Sequence, residues 1–193
     1  MPKENKTKIN YGKLKNVVKA MSKNYSVKLG LLAGQGGDES IGENIDLAGL
    51  GVVQEYGADI KITPKMAKFL AIKAKELGLP QKKGKSSGFV KIPARSFLYS
   101  PIVGDAKGLR KRIREFIDEA AIELMLLQGD FELMAKSVAY AGWYQVQEAF
   151  DKGGIFGEWA PNSAMTSASK SSSSPLIDTG RLRGSITYKV EKK

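Results

Sequence analysis

A chain of 193 residues, of which 42% are apolar and 8% aromatic, is long enough for one domain and apolar enough for a packed core, which excludes a wholly disordered protein. The chain contains no Cys and no His, which excludes disulfides, thiolate nucleophiles, Ser–His and Cys–His catalysis and histidine-based metal sites. The formal net charge of +11 favours acidic partners, either nucleic acid or an acidic protein surface.

The first part of the chain predicts an arm, a strand, a loop and a short helix. Residues 1–24 are polar and basic, which predicts a flexible arm. Residues 25–31 alternate between large apolar side chains and small or polar ones, as a half-buried strand does. Residues 34–43 are rich in Gly and acidic residues and predict a loop. Asp46 is a good N-cap for a short helix that ends at Gly57.

An insertion is predicted at about 61–90. Thr63 followed by Pro64 is a helix start, because a cap residue precedes a proline at the first helical position. The apolar stripe that follows ends near Gly78. Residues 81–88 consist mainly of Lys, Gly and Ser and predict a loop.

The second half of the chain predicts an extended segment at 92–98, followed by two long helices. The first helix is expected to run from Leu109 through Leu127, where apolar residues recur at three- and four-residue steps. The second is expected at about 130–150, capped by Asp130. The Ser-rich stretch 163–174 predicts a flexible linker, and residues 186–190 alternate as a terminal strand.

Together these elements predict an α+β fold, in which a small, mostly antiparallel sheet packs against two long helices. We expect a single domain over residues 25–193, with an inserted helix and loop at 61–90. The early strand at 25–31 and the last strand at 186–190 are expected to be antiparallel neighbours.

No apolar run approaches the ~20 residues of a membrane-spanning helix, and the basic N-terminus is not followed by the apolar stretch of a secretory signal. We therefore expect a protein that is made in the cytoplasm, stays there until it is assembled, and has no membrane partner.

The charges of the chain fall into blocks. Residues 1–28 carry eight Lys against one Glu, residues 29–60 carry six acids and no base, and residues 61–95 carry ten bases against one acid. One interpretation is a stand-alone DNA-binding protein, which neutralises phosphates with its basic blocks. The other is a Lys-rich surface that meets an acidic surface of a neighbouring subunit. No aromatic residues interleave with the lysines as single-strand binders require, so non-specific contact with DNA is favoured over sequence recognition.

An acidic cluster in the predicted loop is the candidate for a calcium or magnesium site, because hard cations take carboxylate oxygens. Its members are Asp38, Glu39, Glu43 and Asp46. A metal-dependent enzyme built on this loop is therefore one alternative function. The spacing matches no EF-hand pattern, and no His or second carboxylate motif accompanies the cluster, so we expect no metal site, no cofactor and no enzymatic activity.

Four segments carry a resemblance to a known group of proteins. They are Glu-Tyr-Gly at 55–57, IPARSFL at 92–98, Trp-Ala-Pro at 159–161 and PLIDTGRLRGSI at 175–186. Over roughly residues 46–190, the chain resembles the tail-component and virion-morphogenesis families of tailed bacteriophages. There a helix ending in Glu-(Tyr/Phe)-Gly precedes an Ile-Pro-Ala-Arg-x-Phe-Leu segment, two helices follow, and the last two motifs lead into the final strand. The insertion that begins TPKMAKFL at 63–70 also looks like one that members carry.

The resemblance implies a structural virion protein at the neck, a tail-completion or connector ring through which DNA passes. A tail terminator or a minor tail subunit is the alternative within the same families. The implied partners are further copies of the chain in a homo-oligomeric ring, neighbouring neck and tail proteins, and passing DNA. The implied location is the virion, reached from the host cytoplasm.

Several residues of these motifs are candidates for contacts with other subunits. The candidate interface residues are Tyr56, Pro93, Arg95, Phe97, Leu98, Trp159, Asp178 and Arg181. Arg95 is expected to offer a planar, bidentate donor to a carboxylate. Asp178 is expected to help fix an Asp-Thr-Gly turn from which Arg181 and Arg183 emerge on one side. Ordinary core and turn packing inside the subunit is the alternative for all of them. The candidates for facing DNA are Lys82, Lys83 and Lys85.

Overall fold

The structure is a computed structural model that describes five stretches of the chain and five single positions. These are residues 23–34, 46–80, 88–117, 131–170 and 172–193, with Lys15, Asn16, Lys19, Ile122 and Leu127. Most of the predicted arm at 1–24 and nearly all of the predicted loop at 81–88 lie outside the described residues.

The described residues form helices and short strands, and we number these elements in chain order. They are β1 (Tyr25–Leu31), α1 (Leu47–Tyr56), β2 (Ala58–Lys61), α2 (Pro64–Glu76), β3 (Phe89–Ile92), a π-helical turn (Ser100–Gly104), α3 (Ala106–Phe116), α4 (Glu132–Lys152), α5 (Ala164–Ser169), α6 (Arg181–Gly184) and β4 (Ile186–Lys192). The predicted α+β class is confirmed. The strands form two separate two-stranded antiparallel sheets, β1 with β4 and β2 with β3.

The first sheet brings together strands that lie far apart in the sequence. β1 and β4 pair antiparallel, with Tyr25 opposite Lys192 and Leu31 opposite Ile186. This pairing confirms the prediction that the early strand and the last strand are antiparallel neighbours. α4 packs against both strands, and α3 packs against α4 and the π-helical turn. The sheet of β1 and β4 is therefore covered by one long helix, α4. The other long helix, α3, packs against α4.

The main core lies where the sheet, α1 and α4 meet. It is centred on three aromatic rings: the centroid of Phe97 lies 5.7 Å from that of Phe150, which lies 5.4 Å from that of Trp159 in an edge-on arrangement. Leu47 and Leu182 complete the buried cluster from α1 and α6. Such aromatic pairs contribute about 0.5–1.5 kcal/mol each beyond the area they bury.

The insertion is carried on a two-stranded ribbon. β2 and β3 pair antiparallel, starting with Ala58 opposite Ile92, and α2 lies between them in the chain. The predicted start of α2 is confirmed: Pro64 is its first residue, and Thr63 Oγ1 accepts a hydrogen bond of 3.2 Å from the N–H of Met66. No residue of α2 is buried. We call residues 58–92 the inserted arm.

The prediction of one helix from Leu109 through Leu127 is wrong. α3 begins at Ala106 and ends at Phe116, because Ile117 has an extended backbone with φ −116° and ψ 103°. Ile117 is buried in a small second cluster with Met134 of α4. A β-branched residue adopts this conformation readily, so burial against α4 outweighs continuation of the helix.

The prediction of a flexible linker at 163–174 misses the short helix α5 within this stretch. Ser163 caps α5, and its Oγ accepts a hydrogen bond of 3.2 Å from the N–H of Thr166. The Asn162 side chain donates to the carbonyls of Ser173 and Ser174, at 3.1 and 3.3 Å. These bonds hold the two ends of the segment together. In the sequence these serines indicate low complexity. In the structure they cap a helix and close the loop.

Candidate interaction site

Glu55, the penultimate residue of α1, holds the chain at 97–99 through its carboxylate. Its side chain lies in the protein interior and the residue is only 7% exposed. The carboxylate accepts four hydrogen bonds, from Ser96 Oγ at 2.6 Å and from the N–H groups of Phe97, Leu98 and Tyr99 at 2.8, 2.9 and 3.0 Å. The N–H groups at the start of a helical segment have no partners within that segment, so a carboxylate from another element serves as its cap.

The sequence alone does not predict this role for Glu55, although a signal is present. The buried residues of α1 are Leu47, Gly51 and Glu55, which follow one another at four-residue steps. A single carboxylate therefore occupies the buried face of the helix. Such a charge needs partners in the interior, and backbone N–H groups from elsewhere in the chain are among the few that satisfy it.

Gly57 brings the end of α1 against the segment at 92–94. Its φ is +75°, and a Cβ there would lie 2.8 Å from both Ala94 N and Ile92 O. Only glycine combines this backbone conformation with so close a contact. The neighbouring Arg95 N–H donates to the carbonyl of Gln54 at 2.7 Å. The Glu-Tyr-Gly and IPARSFL motifs are therefore joined along their backbones.

Arg95 extends the same unit to the Trp-Ala-Pro motif. Its Nε donates to the carbonyl of Ala160 at 2.8 Å, and its Nη2 donates to the carbonyl of Pro161 at 3.0 Å. Burial lowers the pKa of Arg95 from its ordinary value. The indole N–H of Trp159 donates to the carbonyl of Ser96 at 3.2 Å. The expectation that Arg95 meets a carboxylate is wrong, because its planar fork is taken up by two backbone carbonyls.

We call this hydrogen-bonded unit the motif cluster; it consists of Glu55, Gly57, residues 92–99 and residues 159–161. Arg95, Phe97 and Trp159 are buried inside the subunit, whereas Pro93 and Leu98 are half-buried. Of the candidate interface residues, Tyr56, Asp178 and Arg181 are exposed. Of these, Tyr56 lies at the rim of the motif cluster, 74% exposed.

An apolar groove of about 610 Å³ lies beside the motif cluster, between β1, α1 and the π-helical turn. Its inner wall includes Leu31 and Leu98. Its exposed apolar side chains are Val27, Val52, Tyr56, Tyr99 and Val103. Tyr99 is 60% exposed although its own N–H is bound to Glu55. The motif cluster thus fixes the backbone from which two exposed tyrosines enter one groove.

A second, more polar pocket of about 350 Å³ contains the remaining candidates. Asp178 and Arg181 line it, together with Lys170 and Arg95. Burial lowers the pKa of Lys170; the nearby Arg95 lowers it further, and Asp178 opposes the shift. The Lys170 ammonium donates to the carbonyl of Ser174 at 3.0 Å.

The expectation that Arg181 and Arg183 emerge on one side is wrong. Arg183 is bound to α4, with Nη1 2.7 Å from Asp151 Oδ1 and Nε donating to Gln147 Oε1 at 2.8 Å. Arg181 lies in the polar pocket near α1 instead. The two side chains diverge because they belong to a short helix, α6, rather than to an open turn. Gly180 precedes this helix with φ +80°.

Other predicted sites fall partly or wholly outside the described residues. Of the acidic cluster, only Asp46 is described; its Oδ1 accepts a hydrogen bond of 2.6 Å from Gly49 N as the cap of α1. The described residues contain no group of three or more Asp, Glu, His or Cys arranged to hold a metal. Lys82, Lys83 and Lys85 lie outside the described residues. Among the helices that the structure describes, none is both long and apolar enough to cross a membrane.

Comparisons of this chain with protein-family models, curated proteins and solved structures find no match.

Proposed function

We propose that this chain is a structural virion protein of a tailed bacteriophage, part of the neck at the head–tail junction. In this role its copies form a tail-completion or connector ring, through which DNA passes with non-specific contacts. The protein is made in the host cytoplasm and carried in the virion, where it contacts neighbouring neck and tail proteins. This proposal takes its family from the resemblance of the four motifs and its physical support from the motif cluster.

The observation that carries the proposal is that three of the four motifs form one bonded unit. Glu55 is linked to residues 96–99, and Arg95 is linked to Ala160 and Pro161, across separations of 41–44 and 65–66 residues. These three motifs therefore meet at one place in the fold. Chance matches of short motifs have no reason to meet in this way.

Exposed apolar side chains support an assembly role independently of the motifs. The apolar groove exposes Tyr56, Tyr99 and three valines, and the inserted arm exposes Phe69 and Ile72. Contiguous apolar surface of this kind is typical of contact sites between proteins. A subunit that is buried in a ring needs such surfaces, whereas they reduce the solubility of a protein that acts as a monomer.

The test uses tailed particles produced by the genome that encodes this chain. We expect mass spectrometry to find the chain in purified particles, and we expect deletion of its gene to yield filled heads and tails that fail to join. Tails of abnormal length would instead support a tail terminator. Normal, infectious particles without the chain would overturn the proposal.

A further inference from the structure

Helix α3 carries a row of cations on its solvent-facing side. Lys107, Arg110, Lys111 and Arg114 are all exposed, and their spacing of three and four residues places them on one face of the helix. We call these four residues the basic stripe. The apolar side of α3 faces the protein instead, where Ile113 packs against the small second cluster. The basic stripe therefore points away from the core.

The cations of the basic stripe are placed where they destabilise their own helix. Lys107 lies in the first turn of α3, where the helix dipole disfavours a positive charge, and no acidic residue lies in that turn. Lys107 is three residues from Arg110 and four from Lys111, and like charges at these spacings repel each other. Among the described residues, neither Lys107 nor Arg110 has an ion-pair partner. Lys111 lies 3.8 Å from Glu115, and an ion pair this exposed contributes little. Helix stability therefore does not explain the basic stripe.

On α4, by contrast, exposed cations are paired within the helix. Lys136 and Lys152 lie 2.6 and 2.8 Å from the glutamates four residues before them. Arg112 of α3 is also paired: it is bonded to Glu148, and its guanidinium lies 4.7 Å from the centre of the Tyr144 ring. Arg112 thus belongs to the contact between α3 and α4, whereas the basic stripe is a surface of one charge sign on the opposite side of the helix.

The composition of the basic stripe favours a polyanion over a protein as its partner. Between residues 107 and 114, no apolar or aromatic side chain is exposed. Contacts between proteins centre on apolar and aromatic residues and are depleted in lysine, whereas contacts with phosphates need only cations. The inserted arm differs in this respect, because its exposed lysines on α2 stand beside the exposed Phe69 and Ile72. Single-strand binders stack bases on aromatic rings, so a stripe without rings fits a duplex better.

From these observations we infer that the basic stripe of α3 contacts the phosphate backbone of duplex DNA without reading its sequence. This inference rests on the proposed function, and it names the surface of the ring that DNA passes. Each copy contributes one stripe, so contacts that are weak in one subunit add up around a ring. Contacts with phosphates alone let a protein slide along DNA, as passage through a connector requires.

The test compares two variants that lose the same number of charges. The stripe variant replaces three cations of α3 and combines Lys107→Gln, Arg110→Gln and Lys111→Gln. The control variant replaces three lysines of α2 that are also exposed and combines Lys65→Gln, Lys68→Gln and Lys75→Gln. Full-length protein is titrated onto a short fluorescent DNA duplex of random sequence, and anisotropy gives the dissociation constant over a range of salt concentrations.

We expect the slope of log affinity against log salt to become shallower by about 2–3 in the stripe variant, since each lost phosphate contact removes about 0.9. Its affinity near physiological salt should weaken by at least about tenfold, and that of the control variant by less than about threefold. Equal weakening in both variants would show that only net charge matters and would overturn the inference. A wild-type protein that does not bind the duplex overturns it as well.

Unfolding at low salt provides a second readout. The stripe variant should be at least as stable as the wild type, because repulsion within α3 is removed. A less stable stripe variant would contradict the premise that these cations repel each other. Ring formation is measured separately by sedimentation, so a ring whose stripe does not bind DNA leaves the proposed connector standing and removes only this inference.

Discussion

The carboxylate of Glu55 accepts a hydrogen bond of 3.0 Å from the backbone N–H of Tyr99, forty-four residues along the chain. Glu55 is buried, whereas Tyr99 and the adjacent Tyr56 point into solvent at the rim of the apolar groove. A single buried carboxylate therefore sets the positions of two exposed aromatic side chains. The residues that maintain the fold and those available to a partner are direct neighbours, and substitutions should separate the two roles.

Glu55→Gln should destabilise the subunit without changing its shape. The amide keeps one acceptor oxygen but places an NH₂ group against backbone N–H donors. We expect a loss of about 2–3 kcal/mol in the free energy of unfolding, measured with urea, because buried donors are left unsatisfied. The matched control is Glu76→Gln on α2, whose exposed ion pair with Lys73 contributes less than about 1 kcal/mol. Equal effects of the two changes would contradict the assigned role of Glu55.

Gly57→Ala should destabilise the protein through a steric clash. A Cβ at this position would lie 2.8 Å from two backbone atoms, and φ is +75°. We expect a loss of about 2–4 kcal/mol, which combines backbone strain with displacement of the segment at 92–94. Gly78→Ala is the control, since its φ is +64° but no atom lies within 4 Å of its Cβ. The loss at Gly78, about 1–2 kcal/mol, measures the cost of a Cβ at a positive φ without a steric contact, and a Gly57 effect of the same size would contradict the clash.

Arg95→Lys should weaken the attachment of the segment at 159–161. Lysine keeps the charge but lacks the planar fork that reaches both carbonyls at once. We expect a loss of about 1–3 kcal/mol in the free energy of unfolding. Arg110→Lys, at an exposed position of α3, should change it by less than about 0.5 kcal/mol. If Arg95→Lys is as mild as this control, the bonds to Ala160 and Pro161 are not important for stability.

Replacing both groove tyrosines should affect assembly rather than folding. Tyr56→Ser combined with Tyr99→Ser removes exposed rings, so the free energy of unfolding should change by less than about 1 kcal/mol. Aromatic residues often dominate contacts between proteins, so self-association should weaken by at least about tenfold. Sedimentation velocity measures the association, with Phe156→Ser as the control. An unchanged association constant would remove the groove from the interface.

Elements with local signals are predicted correctly from the sequence. The caps Asp46 and Thr63 and the glycine at 57 mark the ends of α1 and the start of α2, because each acts on residues within one helical turn. The pairing of β1 with β4 is also predicted, from two alternating segments near the ends of the chain. These features depend on short-range rules and on a small number of strands.

Side-chain contacts between distant parts of the chain are not predicted. Apolar periodicity continues past Ile117, yet burial against Met134 turns the backbone there. The partners of Glu55 and Arg95 lie 41–66 residues away, so their residue types alone give no indication of which atoms they bind. Arg95 illustrates the point, because a guanidinium can donate either to a carboxylate or to a pair of backbone carbonyls.

The most direct test of the central claim is the mass of the purified protein in solution, measured by sedimentation over a range of protein and salt concentrations. The account predicts a discrete, ring-sized oligomer, formed by the chain alone or on addition of a neighbouring virion protein. A strict monomer at every concentration, which instead binds duplex DNA with an affinity that falls as salt is raised, would contradict it and support a stand-alone DNA-binding protein.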